Sequence, residues 1–128
     1  MILVLADLVE SRDEMTGNHV RNTADFVQLI LEEMRREHLY PSLLTPSYIQ
    51  DVITVAPLHD IGKISIPDAV LNKPEALDDD EYEIMKTHAE NGYEILKEIK
   101  SAPELALGAG YHHERLDGKG YPWGLKKE

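Results

Sequence analysis

The sequence has no cysteine, only one Phe and one Trp, and no apolar run long enough to cross a membrane. Without thiolates, a metal site can use only nitrogen and oxygen ligands. The lack of cysteine also suits a reducing compartment, so we expect a cytoplasmic location. The apolar opening at residues 1–6 has no basic flank and meets Asp7 and Glu10 at once. We therefore interpret it as the start of an amphipathic helix and not as a signal or membrane segment.

Basic residues are also scarce, at 13 against 24 acidic ones, which gives a net charge of −11. Duplex nucleic acid and anionic lipid are excluded as partners, because no basic stripe could displace their counterions. A small anion is compatible only where metal ions and a few placed cations supply a local positive field. With 128 residues, 42% of them hydrophobic, the chain reads as one globular domain.

The spacing of apolar residues predicts helices and no strands. It recurs in segments bounded at about 2–15, 18–38, 46–60, 78–99 and 103–113, with one short helical turn after Pro67. The sequence therefore predicts an all-α fold, a helical bundle with its candidate ligands at or near helix ends.

Several boundaries carry specific signals. Thr45 before Pro46 is a good N-cap for the third helix, and Asp78 with Glu81 resembles a capping box. Pro57 should kink the third helix one turn before a His-Asp pair at its end, because proline lacks the N–H that an α-helix needs. Gly62 is a plausible stop just beyond.

Five of the six histidines lie in short clusters with the character of metal ligands: His19, His59, His88, His112 and His113. Imidazole and carboxylate are the ligands that borderline divalent metals accept. His59 and Asp60 are neighbours whose side chains diverge by about 100° on a helix, yet both can reach one metal over its end. Lys63 would place an ammonium beside an anion bound there. The pattern points to a metal centre that acts on phosphate.

Each histidine also has a simpler interpretation. His59 could be a buried histidine with a carboxylate partner, and His19 could cap a helix or lie on the surface. His88 shares an apolar helical face with Met85, Ile95 and Ile99, near a Gly92 that permits either close approach or a break. It could therefore be a core histidine bonded to a carbonyl. His112 and His113 together favour a functional site, whereas His38 is interpreted as solvated and without function.

Taken together, the motifs are more informative than any one of them. In order along the chain they are Thr16-Gly17-Asn18-His19, Leu58-His59-Asp60-Ile61-Gly62-Lys63, Ile66-Pro67-Asp68, Lys73-Pro74, Met85-Lys86-Thr87-His88, His112-His113-Glu114 and Asp117-Gly118-Lys119-Gly120-Tyr121-Pro122. This succession resembles the HD-GYP family over essentially the whole chain. The resemblance implies an HD-domain helical bundle and a metal-dependent phosphodiesterase of bacterial signal transduction. Its substrate would be cyclic di-GMP, hydrolysed to linear pGpG, to GMP or to both.

The resemblance also implies a ligand set. Asp60 would bridge two divalent metal ions, with iron or manganese as the expected pair, and His59 would bind one of them. His19 would add a ligand on the side of the first helix. The other metal would be held by His88, His112 and His113.

The same resemblance assigns substrate contacts. Lys63 would contact a phosphate of a cyclic dinucleotide and act in catalysis with Asp60. Tyr121 would line the substrate groove. Arg115 is assigned to the substrate mainly because it lies beside the His pair.

The sequence departs from the family pattern in two places. Many members have a Glu four residues before His19, where this chain has Met15, and Glu14 is rotated by about 100° from that position. A thioether is a poor ligand for hard divalent ions, so two metals are expected and not three. The family also continues past the Gly-Tyr-Pro block with an Asp ligand and a basic segment. We therefore expect residues 1–128 to be one HD-GYP domain truncated at its C-terminus, with impaired activity.

Other functions stay open. An HD phosphohydrolase for another nucleotide would use the same ligands. A regulatory module without catalysis could dock through Gly120, Tyr121 and Pro122 onto a partner such as a diguanylate cyclase domain. The least specific alternative is a helical bundle with incidental histidines.

Overall fold

A computed structural model of the chain describes residues 2–12, 19–100 and 103–126, with only the backbone of Ile2, Leu3 and His19. Its six α-helices are α1 (Ile2–Glu10), α2 (His19–Arg36), α3 (Pro46–Val55), α4 (Asp68–Leu71), α5 (Asp79–Leu96) and α6 (Pro103–Tyr111). Two 3₁₀ helices, Ala56–Leu58 and Ile61–Ser65, lie between α3 and α4. Within the described ranges the one extended pairing is a bridge between Asp117 and Lys126. The all-α prediction is confirmed, and none of the described helices is long and apolar enough to cross a membrane.

The predicted helix starts are present where their signals occur. The Thr45 hydroxyl accepts a hydrogen bond from the backbone N–H of Tyr48 at 3.2 Å and caps α3. Asp78 and Glu81 form the predicted capping box, with reciprocal bonds of 2.8 and 2.9 Å at the start of α5. The short turn predicted after Pro67 is α4. Local hydrogen bonding at these positions satisfies N–H groups that a helix start would otherwise leave without partners.

The helices end before their predicted C-terminal bounds, and the difference is largest for α1 and α3. α3 ends at Val55, so His59 and Asp60 do not lie on it; they occupy a turn between the two 3₁₀ helices. Pro57 explains the change, since it has no N–H to continue the α-helical ladder. α1 ends at Glu10 and not near residue 15, because the chain turns at residues 11–12.

The core lies between α5, α6 and the segments that enter the His-Asp turn. Its buried members are Ala6, Val20, Leu58, Leu96, Leu105, Ala106 and Ala109. Ile95 and Ile99, which belong to the predicted apolar face of this helix, are 42% and 41% exposed, and Ile99 lies beyond the end of α5. Leu96, 3% exposed, is the core residue of that last turn.

A close backbone contact joins α5 to the 3₁₀ helix Ile61–Ser65. A Cβ on Gly62 would lie 1.7 Å from the carbonyl oxygen of His88 and 2.5 Å from the amide nitrogen of Gly92. Only a residue without a side chain fits there. Of the two roles predicted for Gly92, close approach is correct, since α5 runs through it without a break. The contact brings the His-Asp turn directly against His88.

Candidate metal centre and adjoining cavity

Three histidines are oriented by the same local hydrogen bond. Nδ1 of His59, His88 and His112 bonds the backbone carbonyl three residues earlier, at 2.5, 2.6 and 2.8 Å respectively. A carbonyl only accepts, so each Nδ1 carries the proton and donates it. The Nε2 atom of each ring is left facing away from its own backbone. This is the arrangement by which proteins present imidazole to a metal.

All three Nε2 atoms converge on the carboxylate of Asp60, which is 7% exposed. Its Oδ2 lies 3.1 Å from Nε2 of His59 and 3.1 Å from Nζ of Lys63. Its Oδ1 lies 3.2 Å from Nε2 of His112 and 3.4 Å from Nε2 of His88. The two oxygens therefore face two different groups of side chains.

This donor set suits a divalent cation. One ligand atom from each of Asp60, His88, His112 and His113 lies within 4.8 Å of every other. The Nε2 atoms of His88 and His112 are 3.2 Å apart. Because their lone pairs and the carboxylate point at one another, protons or a metal ion must lie among them. The cluster is thus built to hold positive charge.

The ionisation of the cluster follows from its burial and its partners. Burial alone raises the pKa of Asp60, but hydrogen bonds from His112, His59 and His88 outweigh it and hold that pKa well below its usual range. Burial lowers the pKa of His59, yet its bond to Asp60 and the charge of that carboxylate raise the pKa above its usual value. Burial, with the charges of His112 and His88, lowers the pKa of His113 to about 4. His113 is therefore neutral near pH 7 and has a lone pair available for a metal.

The ligand predicted on the side of the first helix lies partly outside the described residues. His19 begins α2, but its side chain is not described. Met15 and Glu14, on which the choice between two metals and three depends, fall in residues 13–18, which are also outside the described ranges. His38 is exposed, beyond the end of α2, as expected of a histidine without function.

Arg12 clamps the segment that carries Lys63. Its guanidinium donates to the backbone carbonyls of Lys63, Ile64 and Ile66 at 3.3, 2.9 and 2.8 Å, and to Asp68 Oδ1 at 2.9 Å. The Asn72 amide in turn donates to the Arg12 carbonyl at 2.6 Å. One side chain therefore fixes the short 3₁₀ helix beside the cluster.

Glu114 holds the Gly-Tyr-Pro loop against the cluster. Its carboxylate accepts the backbone N–H of Trp123 at 2.7 Å and of Leu125 at 2.8 Å. The ring of Tyr121 stacks on His113, with centroids 4.6 Å apart and planes 19° from parallel. Burial, followed by the charges of Tyr82 and Asp60, raises the pKa of Tyr121 to about 12. Tyr121 is therefore a neutral phenol packed directly on a candidate ligand.

A cavity of about 510 Å³ opens beside the His pair, within the size range of small-molecule sites. It is lined by Tyr82, His112, His113, Glu114, Arg115, Lys119, Gly120 and Tyr121. Arg115 reaches this cavity, but its guanidinium also bonds the Asp117 carboxylate at 3.0 and 2.6 Å. Two of the three residues predicted to contact substrate, Arg115 and Tyr121, thus line this cavity.

Sequence reasoning missed four residues at this site: Arg12, Glu114, Tyr82 and Lys86. The bonds of Arg12 join residues more than 50 positions apart, so no local pattern reports them. Glu114 and Lys86 enter the sequence prediction only as members of longer motifs, with no role of their own. Tyr82 and Lys86 do carry a signal, since a spacing of four places them on one face of a helix.

Comparison with known proteins identifies the family. The HD domain family matches residues 3–128, so the chain belongs to the HD domain family. The chain is 41% identical to a cyclic di-GMP phosphodiesterase of Vibrio cholerae, over 99% of this chain and 27% of that protein. It is 42% identical to a cyclic di-GMP phosphodiesterase of Thermotoga maritima, over 97% of this chain and 32% of that protein. The HD-GYP resemblance predicted from the motifs is confirmed.

A third relative differs in its named substrate. The chain is 40% identical to a 3'3'-cGAMP-specific phosphodiesterase of Vibrio cholerae, over 95% of this chain and 22% of that protein. The chain therefore spans about a third or less of the length of these three relatives.

Proposed function

We propose that this protein is a metal-dependent phosphodiesterase that hydrolyses cyclic di-GMP to linear pGpG, to GMP or to both. One observation carries the proposal: three imidazoles, each fixed through Nδ1, aim Nε2 at a single buried carboxylate. The two relatives named cyclic di-GMP phosphodiesterases support the choice of substrate.

In this proposal Asp60 would help to hold two metal ions. His59 would hold one of them with Asp60, and three histidines would hold the other: His88, His112 and His113. The separation of these groups around the carboxylate supports a bridging role. His19 stays a predicted further ligand. Iron or manganese is the expected pair, since both accept imidazole and carboxylate.

When bound, such a pair supplies Lewis acidity and lowers the pKa of water to near neutrality. The chain's own groups bind and orient the substrate. The Lys63 ammonium, 3.1 Å from Asp60 Oδ2, would neutralise charge that builds on a phosphoryl oxygen. Arg115 would neutralise a second phosphate, and the neutral Tyr121 phenol would donate a hydrogen bond in the groove.

The test is hydrolysis by the protein loaded with Mn²⁺ or Fe²⁺, with chelated protein as the control. The substrates are cyclic di-GMP, 3'3'-cGAMP and bis(4-nitrophenyl) phosphate, and the products are separated by chromatography. We expect cyclic di-GMP to be cleaved only by the metal-loaded protein. Cleavage of bis(4-nitrophenyl) phosphate alone would contradict the proposal.

A second candidate substrate is 3'3'-cGAMP, favoured by the relative named for that activity. A higher kcat/KM for it than for cyclic di-GMP would select this alternative.

Docking of the Gly-Tyr-Pro loop onto a diguanylate cyclase domain stays a prediction, as does the cytoplasmic location. Metal binding without turnover of any cyclic dinucleotide would favour the regulatory module.

A further inference from the structure

The cavity beside the cluster has an outer wall with no part in metal binding. His112 and His113 of the cluster line the cavity, and so does Tyr82 near the start of α5. We call the side that Tyr82 lines the outer wall. Tyr82 is 49% exposed, so it is not a core residue. An exposed aromatic ring in a ligand-sized cavity offers a flat surface for stacking.

The aromatic rings form a series that leads away from the cluster. Tyr121 stacks on His113 at 4.6 Å, and Tyr82 meets the Tyr121 ring edge to face at 6.4 Å and 82°. Tyr121 is thus covered on the side of the ligands, and Tyr82 is the outermost ring. In a nucleotide the base is separated from its phosphate by a sugar. A base is therefore expected at some distance from the metals, on the side of the cavity where Tyr82 lies.

Lys86 places a cation at this wall. Its Nζ lies 5.4 Å from the centroid of Tyr82 and 5.8 Å from that of Tyr121, within the range of a cation–π contact. Glu83 holds the ammonium at 2.6 Å, and the side chain is 26% exposed. An ammonium has three N–H groups, so donors remain after the bond to Glu83. A fixed donor next to an aromatic ring can read the edge of a base stacked on that ring.

The charge of Lys86 selects the type of base. Guanine presents two acceptors, O6 and N7, on one edge, and lysine is a common partner for them. Adenine presents an N6 amino donor in place of O6, which an ammonium cannot bond. We propose that Tyr82 and Lys86 form a guanine-binding wall, in which Tyr82 stacks on the base and Lys86 bonds O6 and N7. The inference rests on the proposed function and adds the residues that select the base.

The experiment measures kcat and KM of the metal-loaded protein for cyclic di-GMP and cyclic di-AMP. For Tyr82→Ala we expect KM for cyclic di-GMP to rise by roughly 5- to 150-fold, the range of one lost stacking contact, with kcat little changed. Tyr82→Phe keeps the ring and should restore the wild-type KM. Metal content should be unchanged in both variants.

Lys86→Met tests base selection separately. KM for cyclic di-GMP should rise by roughly 5- to 150-fold, the discrimination typical of one good base contact. KM for cyclic di-AMP should rise less, because adenine offers the ammonium N7 alone. Lys97→Met is the matched control, because Lys97 also pairs with a glutamate three residues earlier but caps the far end of α5, away from Tyr82 near its start. Tyr48→Ala, on α3, is the control for loss of a tyrosine ring.

The outcomes separate this inference from the proposed function. If the wild-type protein cleaves no cyclic dinucleotide, the proposed function fails. If it cleaves cyclic di-GMP and Tyr82→Ala leaves KM unchanged, the stacking role is overturned. An equal rise in KM for both dinucleotides in Lys86→Met would overturn guanine selection. Loss of metal from Tyr82→Ala would assign that residue to the support of the cluster and not to the base.

Discussion

The two oxygens of Asp60 face two halves of the site that are supported in different ways. On the Oδ1 side, His88 projects from the middle of α5, and His112 and His113 follow the end of α6, so two regular helices set their positions. On the Oδ2 side, His59 and Lys63 come from a turn and a short 3₁₀ helix. There the Arg12 guanidinium donates hydrogen bonds to three backbone carbonyls between residues 63 and 66, and these bonds fix the short segment in place. Irregular backbone at a site thus depends on long-range side-chain bonds.

Removing the shared Asp60 carboxylate should abolish metal binding on both sides of the site. Asp60→Ala should lose all bound metal and all turnover, because no other carboxylate in the described cluster can take its place. Metal content by atomic emission and hydrolysis of cyclic di-GMP check this. His38→Ala, with an exposed imidazole, is the control and should lose no metal. Equal loss from both variants, or none from Asp60→Ala, would overturn the bridging role.

Removing the Lys63 ammonium should affect only the Oδ2 side of the site. Lys63→Ala should keep its metal and lose turnover by about 10²- to 10³-fold, the cost of one group that stabilises transition-state charge. Metal analysis and kcat measured on the same sample separate the two effects. Unchanged kinetics would exclude Lys63 from the site.

A substitution at Gly62 tests the backbone contact that joins the His-Asp turn to α5. Gly62→Ala would place a methyl 1.7 Å from the His88 carbonyl oxygen, so the backbone of one half must move. We expect a loss of about 1–3 kcal/mol in the free energy of unfolding, as for other overpacked sites. Urea denaturation measures it. Ser65→Ala, an exposed change in the same 3₁₀ helix, should have little effect, and a similar loss there would argue against the contact.

Of the four substitutions predicted in this section, removal of the Arg12 side chain should have the smallest effect. Arg12→Ala should lower kcat by about tenfold, at the lower end of the effect of residues that orient others at a metal site, because Lys63 loses its support. Added guanidinium should restore part of the activity. Asp68→Ala removes only an exposed ion pair and should change kcat little. Equal effects of the two variants would mean that the carbonyl bonds of Arg12 do not matter.

The sequence predicted the helical half of the site better than the irregular half. The capping box at Asp78 and Glu81 marks the start of α5, and Pro103 that of α6, so His88 and the His pair could be placed from local signals alone. Pro57 was read as a kink, yet it ends the α-helix, because periodicity alone does not distinguish a bent helix from two shorter ones. His59 and Asp60 were predicted to end a helix, whereas they lie in a turn between two 3₁₀ helices, and their role as metal ligands stays a prediction.

What the sequence could not supply were contacts between distant segments. The bonds of Arg12 and the fit of Gly62 against His88 exist only once the chain has folded. The spacing of four between Tyr82 and Lys86 indicates a shared helical face, but it does not indicate that this face lines a cavity with Tyr121, which the fold brings in from a distant segment. Glu114 was recognised as part of a motif, but its bonds to the amides of Trp123 and Leu125 depend on the return of the loop.

The carbonyl bonds that orient His59, His88 and His112 each span only three residues. The orientation of each ring therefore depends on its own turn of backbone and not on contacts with distant segments. Local unwinding at one turn would misdirect one imidazole and leave the other two in place. We therefore expect the affinity of the cluster for a divalent cation to fall in steps as single turns unwind, and not in one transition.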